Sequence, residues 1–157
     1  MAGMGDFNVE DFQLLLRDQP AWEEKTERDR QEMLGWNAEL LKKGYATLCS
    51  EVDRAALTDD VAEFLLDQMK EGVRTGFEGL RDDGLSQILP WGFDLRTIHA
   101  PVQVWHGGQD RFVPVAHGKW IAARISNVEA HIEPGEGHVT LVIRRISEIQ
   151  RWIVSKF

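Results

Sequence analysis

The sequence predicts an α/β fold in which a helical region, residues 1–90, precedes a portion of alternating strands and helices, residues 91–157. Before Pro90, apolar residues recur at three- and four-residue steps, as on one face of a helix. After Pro101, two short runs rich in β-branched residues alternate with helical segments. With 157 residues, 43% of them apolar, the chain can form an ordinary domain with a hydrophobic core.

Three helices are predicted in the first region from their start signals. Asn8 is the expected cap of the first helix, and Pro20 opens a second helix that runs to Gly44. Thr58 caps a third helix, and glycines near its end predict a break before residues 77–89. The third helix carries an apolar stripe, which is typical of core packing and less often lines a substrate pocket: Val61, Phe64, Leu65, Met69 and Val73.

The second region begins with a short strand, VQVW at residues 102–105, which His106-Gly-Gly ends. A helix then opens at residue 113 or 114, and a second strand follows at residues 127–133. The loop PGEGH ends that strand before a final amphipathic helix. This strand–helix–strand–helix order predicts a parallel pair of strands. The final helix carries one apolar stripe, Val142, Ile146, Ile149 and Ile153.

Composition excludes several classes of function. The net charge of −8 argues against a nucleic-acid partner, because neutralising phosphates requires clustered Lys and Arg. The single cysteine, Cys49, excludes an internal disulfide, fits a reducing compartment and is predicted to be a buried thiol. No signal peptide or span of ~20 apolar residues is apparent, so we expect a cytoplasmic protein with no membrane partner. No metal-ligand spacing is present, so neither a metal nor another cofactor is expected.

Two glycine-containing loops carry the candidate catalytic residues. Asp110 follows the first strand in HGGQD, and His138 follows the second strand in PGEGH. Reactive groups of open parallel sheets collect at the carboxyl ends of the strands, and the glycines are expected to let the backbone turn sharply there. An aspartate bound to one imidazole nitrogen leaves the other free to take a proton from a nucleophile. Acid before histidine is also the chain order of α/β-hydrolases.

The stretch PWGFDLRTIHAPVQVWHGGQDRFVPVAHGKWIAARI, followed by EPGEGHVTL, resembles the C-terminal part of α/β-hydrolase-fold proteins. More narrowly, it is similar to bacterial hydrolases grouped with proline iminopeptidases. The resemblance covers about the last 70 residues closely and implies that Asp110 is the triad acid and His138 the triad histidine. It also implies that the helical region before Pro90 is the cap inserted into that fold.

The sequence departs from the family at the nucleophile, because no G-x-S-x-G occurs. The nearest match is Gly84-Leu-Ser-Gln-Ile88, with no strand before it, so Ser86 is interpreted as a helix or loop serine. His106-Gly-Gly is interpreted as part of the turn before the acid. The remaining histidines are interpreted as structural: His99, His117 and His131.

The resemblance therefore implies the C-terminal portion of a hydrolase: a piece cut from a longer protein, a truncated gene product or a short protein in its own right. The first hypothesis is a serine hydrolase of a small-molecule ester or amide, with the serine outside this sequence; peptidase, esterase, epoxide hydrolase and dehalogenase activities stay open. The second is an inactive remnant that binds a ligand or partner through Met33, Trp36, Met69 and Trp91. A helical interaction domain with an αβ tail is a third. In each case, two parallel strands leave open edges, so we expect self-association or an upstream half to cover them.

Overall fold

The computed structural model of the protein describes residues 1–156. Helices precede two parallel strands that are themselves flanked by helices, so the predicted α/β class is confirmed. A short 3₁₀ turn, Leu95–Thr97, precedes the first strand. In these residues the elements are α1 (Asp6–Arg17), α2 (Gln19–Leu34), α3 (Ala38–Gly44), α4 (Glu51–Ala56), α5 (Asp59–Gly72), α6 (Glu78–Ile88), β1 (Val102–Gly107), α7 (Val115–Ala122), β2 (Val128–Glu133) and α8 (His138–Lys156).

The chain forms two compact units that interleave along the sequence. The helical unit comprises residues 6–46 and 57–92, and the strand unit comprises residues 1–5, 47–56 and 93–157. The strand unit therefore includes α4, a short helix that has no counterpart among the predicted elements. The division into a cap-like region, residues 1–90, and a hydrolase portion, residues 91–157, stays a prediction.

In the helical unit, α1 and α6 pack on α2, and α3 packs on α5. The single helix predicted from Pro20 to Gly44 is wrong, because the chain breaks between α2 and α3. The side-chain oxygen of Asn37 accepts a hydrogen bond from the Leu40 N–H (2.9 Å) and so caps a new helix. Gly44 ends α3, as predicted.

The remaining helix signals of this unit are partly confirmed. Thr58 caps α5 through a hydrogen bond from the Val61 N–H, and the predicted break separates α5 from α6. The predicted stripe of α5 is wrong at Phe64, which is 63% exposed, because the helix is rotated to bury Ala62 and Leu66. Asn8 is not the cap of α1, since this helix already begins at Asp6.

In the strand unit, β1 and β2 pair in parallel, with Val102 opposite Val128 and Gly107 opposite Glu133. The connecting helix α7 packs against both strands, and α8 packs against β1 and α4. Because the register is unbroken, both strands end at the same edge of the sheet. That edge brings together the loops that follow β1 and β2.

The last helix buries little of its apolar surface. Thr140 and Leu141 are buried, whereas three members of the predicted stripe are largely exposed: Val142 (54%), Ile146 (41%) and Ile153 (47%). Between residues 1 and 156 the sheet contains β1 and β2 alone, so each strand has one unpaired edge. Of the helices in the same range, none combines the length and the apolar character that crossing a bilayer requires.

Two glycines of α6 provide a matched test of packing in the helical unit. A Cβ at Gly84 would lie 2.5 Å from the indole ring of Trp22, which is buried, whereas a Cβ at Gly79 would meet open space. We expect Gly79→Ala to raise the free energy of unfolding by about 0.5–1 kcal/mol through helix propensity. Gly84→Ala should instead lower it by about 1–3 kcal/mol through overpacking. Urea denaturation of both variants measures the difference, and a stabilised Gly84→Ala would contradict the packing of α6 on Trp22.

Candidate active site

The loops after β1 and β2 are joined by backbone hydrogen bonds. The Gly108 N–H donates to the Glu133 carbonyl (2.8 Å), and the Gln109 N–H donates to the Glu136 carbonyl (2.9 Å). A Cβ at Gly107 would overlap the carbonyl oxygens of Glu136 and Gly137. The backbone turns directly after each strand, as expected, with the Asp110 N–H donating to the Gly107 carbonyl (3.3 Å) and the Glu136 N–H donating to the Glu133 carbonyl (3.1 Å). None of the glycines in these loops has a positive φ. They are required because only a bare backbone lets the two loops approach so closely.

Asp110 is buried in the first loop and its carboxylate is fully engaged. Oδ1 accepts hydrogen bonds from the N–H groups of Phe112 and Val113, each at 2.8 Å. Oδ2 lies 2.8 Å from Nδ1 of His138. The backbone donors fix the carboxylate, which in turn fixes the imidazole. The two predicted site residues therefore meet, as their positions after parallel strands predicted.

His138 is the first residue of α8, and its side chain is 45% exposed. Its ring stacks on Phe112 with the centroids 4.5 Å apart and the planes 22° from parallel. Because an ionised carboxylate can only accept a hydrogen bond, Nδ1 carries a hydrogen and donates it in the bond to Asp110. Within residues 1–156, Nε2 has no hydrogen-bond partner. The neutral ring thus presents an unengaged basic nitrogen.

The pKa of His138 is raised above its ordinary value of 6.5. Burial opposes the imidazolium, but the hydrogen bond from Nδ1 to Asp110 and the charge of that carboxylate outweigh it, and the charge of Asp53 adds to them. The contribution of the Asp110–His138 pair to the free energy of unfolding is therefore fully present below pH 6.5, the pKa of histidine in the unfolded chain. This contribution is lost as the pH rises through the raised folded-state pKa.

Asp53 is a site residue that the sequence analysis did not identify. It lies on α4, is fully buried and accepts hydrogen bonds from the N–H groups of His138, Val139 and Thr140, each at 3.0 Å. Burial by itself would raise the pKa of Asp53, but these bonds and one from Ser50 Oγ hold it below its ordinary value. No local sequence signal marks it, because its contacts lie 85 and more residues further along the chain.

His106 also lies beside the acid, within the segment interpreted as a turn. Its Nε2–H donates to the Val113 carbonyl (2.8 Å), and the same nitrogen is 3.8 Å from Asp110 Oδ2. The ring is packed on Gly118 of α7, where a Cβ would overlap it. His106 thus holds α7 and the loop that carries Asp110 together.

The other nucleophile candidates are engaged elsewhere. Cys49 is buried, and burial raises the pKa of its thiol to about 11, with the nearby charge of Asp53 adding to the effect, so the predicted buried thiol is confirmed. Ser86 lies on the exposed side of α6 and donates to the Asp83 carbonyl (2.7 Å), which confirms its interpretation as a helix serine.

The remaining residues that the sequence analysis named lie in different surroundings. His131 stacks on Trp105 (3.9 Å between centroids), whereas His99 and His117 are exposed. The residues proposed to form a groove include Met33, which is buried in the helical unit, and Met69, whose sulfur accepts the hydroxyl of Tyr45. Trp36 packs over Gly44, and Trp91 is half exposed. Across residues 1–156, no cluster of three or more His, Cys, Asp or Glu side chains is placed to hold a metal.

Comparison with known proteins gives a partial similarity. The chain is 29% identical over 55 residues to a protein of Arabidopsis thaliana named "Probable lysophospholipase BODYGUARD 1". The matched segment is 35% of this chain and 12% of that protein, so the similarity is distant and covers a small part of the relative. No protein-family model matches the chain. No solved structure matches it.

Substitution of the acid tests the electrostatics of the pair. We expect Asp110→Asn to lower the pKa of His138, because burial would then oppose the imidazolium without the nearest compensating charge. Asp94→Asn is the matched control: Asp94 is an exposed aspartate of the strand unit, paired with Arg96. Histidine side-chain NMR as a function of pH measures the titration. An unchanged His138 pKa in Asp110→Asn would contradict the observed hydrogen bond.

Proposed function

We propose that this chain supplies the acid and the histidine of a Ser-Asp-His triad that hydrolyses an ester, an amide or a related bond. The observation that carries the proposal is the 2.8 Å contact between Asp110 and Nδ1 of His138, which leaves Nε2 unengaged at the rim of the sheet. The distant similarity to a probable lysophospholipase also favours an α/β-hydrolase relation over an unrelated αβ fold. The proline iminopeptidase-like branch is the finer assignment within this proposal.

In the proposed reaction, Nε2 of His138 takes the proton from a serine hydroxyl as that oxygen attacks the substrate carbonyl. Asp110 stabilises the imidazolium that forms and holds the ring through Nδ1–H. The same nitrogen then returns the proton to the leaving group. The raised pKa of His138 fits a base that must hold a proton between these two steps.

The nucleophile is proposed to lie outside these residues, since the sequence has no G-x-S-x-G and Ser86 sits in a helix. The helical region of residues 1–90 corresponds to the cap in this proposal, although residues 1–5 and 47–56 group with the strand unit. Groups outside the sequence would then decide between peptidase, esterase, epoxide hydrolase and dehalogenase activity.

The DNA immediately upstream of the Met1 codon tests the proposal. We expect it to encode G-x-S-x-G, in frame or after a frameshift, and the joined polypeptide to hydrolyse a chromogenic p-nitrophenyl ester. In the joined polypeptide, Asp110→Asn should lower kcat by about 10⁴-fold and His138→Ala by about 10⁶-fold, because either change disables the triad. Asp94→Asn, which alters an exposed ion pair of the same unit, should retain the activity.

The present chain alone should be inert towards the same ester and should not react with a fluorophosphonate probe. Stoichiometric labelling of a serine within residues 1–157 would contradict an external nucleophile. Activity of the joined polypeptide that survives His138→Ala would contradict the triad itself.

We also propose that another chain, a second copy or the half that carries the nucleophile, covers the open sheet edge and the apolar stripe of α8. Supporting this, a two-stranded sheet is marginal without neighbours, and Val142, Ile146 and Ile153 expose large apolar surfaces on one helix.

Sedimentation measures this association directly. We expect the chain to form dimers or larger species as its concentration rises, and Ile146→Glu to shift them towards the monomer, because a charge would be buried in the contact. Phe64→Glu replaces an apolar residue of the helical unit that is more exposed than Ile146 (63% against 41%) and should leave the association unchanged. A monomer at every concentration would exclude a second copy as the covering chain and leave only the half that carries the nucleophile.

A further inference from the structure

The main chain of His138 is held by a carboxylate from a distant part of the sequence. Asp53 Oδ2 accepts the N–H of His138 (3.0 Å), and Oδ1 accepts the N–H groups of Val139 and Thr140 (3.0 Å each). The hydroxyl of Ser50 donates to Oδ2 (2.9 Å), and that of Thr140 approaches Oδ1 (3.3 Å). A fully buried carboxylate thus has five donors, and three of them are the first amides of α8.

These amides have no acceptor within their own helix, and in most helices a neighbouring N-cap side chain or water satisfies them. The residue before α8 is Gly137, which has no side chain to serve as a cap. A Cβ at Gly137 would overlap the carboxylate of Asp53. The sequence before α8 therefore leaves space for a cap that comes from α4. The negative charge of Asp53 also lies at the positive end of the helix dipole, where it is stabilising.

His138 therefore donates hydrogen bonds to two different carboxylates, one from its backbone and one from its ring. Asp53 fixes its backbone nitrogen, and Asp110 fixes its ring through Nδ1. Neither contact alone determines the position of Nε2, because a shift of the first turn of α8 would carry the ring away from Asp110.

We propose that Asp53 is a positioning residue for His138: its buried carboxylate fixes the start of α8 so that the imidazole stays on Asp110. The importance of this role for catalysis rests on the proposed hydrolase function, to which it adds a positioning residue. Asp53 touches neither the ring nor any reacting atom, so it positions His138 through the backbone, while its charge also contributes to the raised pKa of the ring. A purely structural cap would stabilise the strand unit, but its loss would leave the hydrogen bond between the His138 ring and Asp110 intact.

The chain as it stands allows a direct NMR test. In Asp53→Asn the side chain keeps its shape but has one acceptor oxygen and no charge. We expect the low-field Nδ1–H signal of His138 to be lost through exchange with water. The His138 pKa should also fall, in part because the charge of Asp53 is removed. Asn37→Ala, which removes a cap from α3 in the helical unit, should leave both signals of His138 unchanged. Resonances are assigned individually, since His106 lies beside the same aspartate.

A variant that is destabilised yet keeps the wild-type Nδ1–H signal would overturn the proposal and leave Asp53 a structural cap. A second measurement needs no substitution, in case Asp53→Asn does not fold. In the unaltered chain, we expect the amides of His138, Val139 and Thr140 to be protected from hydrogen exchange, unlike the first turn of an ordinary exposed helix. Rapid exchange of all three would equally overturn it. Neither readout requires a nucleophile, so their outcome is independent of the ester hydrolysis that tests the proposed function.

Discussion

Parallel pairing of β1 with β2 in one unbroken register is the constraint on which the candidate site depends. Because both strands end at the same edge, the loops after Gly107 and Glu133 start side by side. Two backbone hydrogen bonds and the absence of a Cβ at Gly107 then bring the loops into contact. Asp110 reaches His138 through this contact, whereas a shift of the register by one residue would separate the loops that carry them.

The sequence was informative where local chemistry determines structure. Thr58 before an apolar run predicts a helix start, and an acid and a histidine after successive strands predict a shared edge. The break between α2 and α3 was missed because the helical charge pattern continues across it, although the cap at Asn37 marks it. Asp53 could not be found in this way, because its role appears only when α4 packs against α8. Side-chain contacts across 85 residues leave no periodic trace in one sequence.

The two aspartates of the site, Asp53 and Asp110, have the same carboxylate but different roles, because their surroundings differ. Asp53 is inaccessible to solvent and accepts hydrogen bonds from backbone amides. These bonds keep its carboxylate ionised, although burial by itself would raise its pKa. In Asp110, one carboxylate oxygen accepts hydrogen bonds from the backbone, and the other accepts one from an imidazole that is partly exposed. The first carboxylate orders a helix, and the second sets the tautomer and raises the pKa of the histidine at its start.

The burial of Cys49 has a practical consequence. Its thiol is 1% exposed, and its pKa of about 11 leaves almost no thiolate near neutral pH. Alkylating reagents, which attack the thiolate, can reach it only when the structure around Cys49 opens transiently. Cys49 directly precedes Ser50, which donates a hydrogen bond to Asp53. The rate of Cys49 alkylation under native conditions therefore measures how often the segment that caps α8 opens transiently.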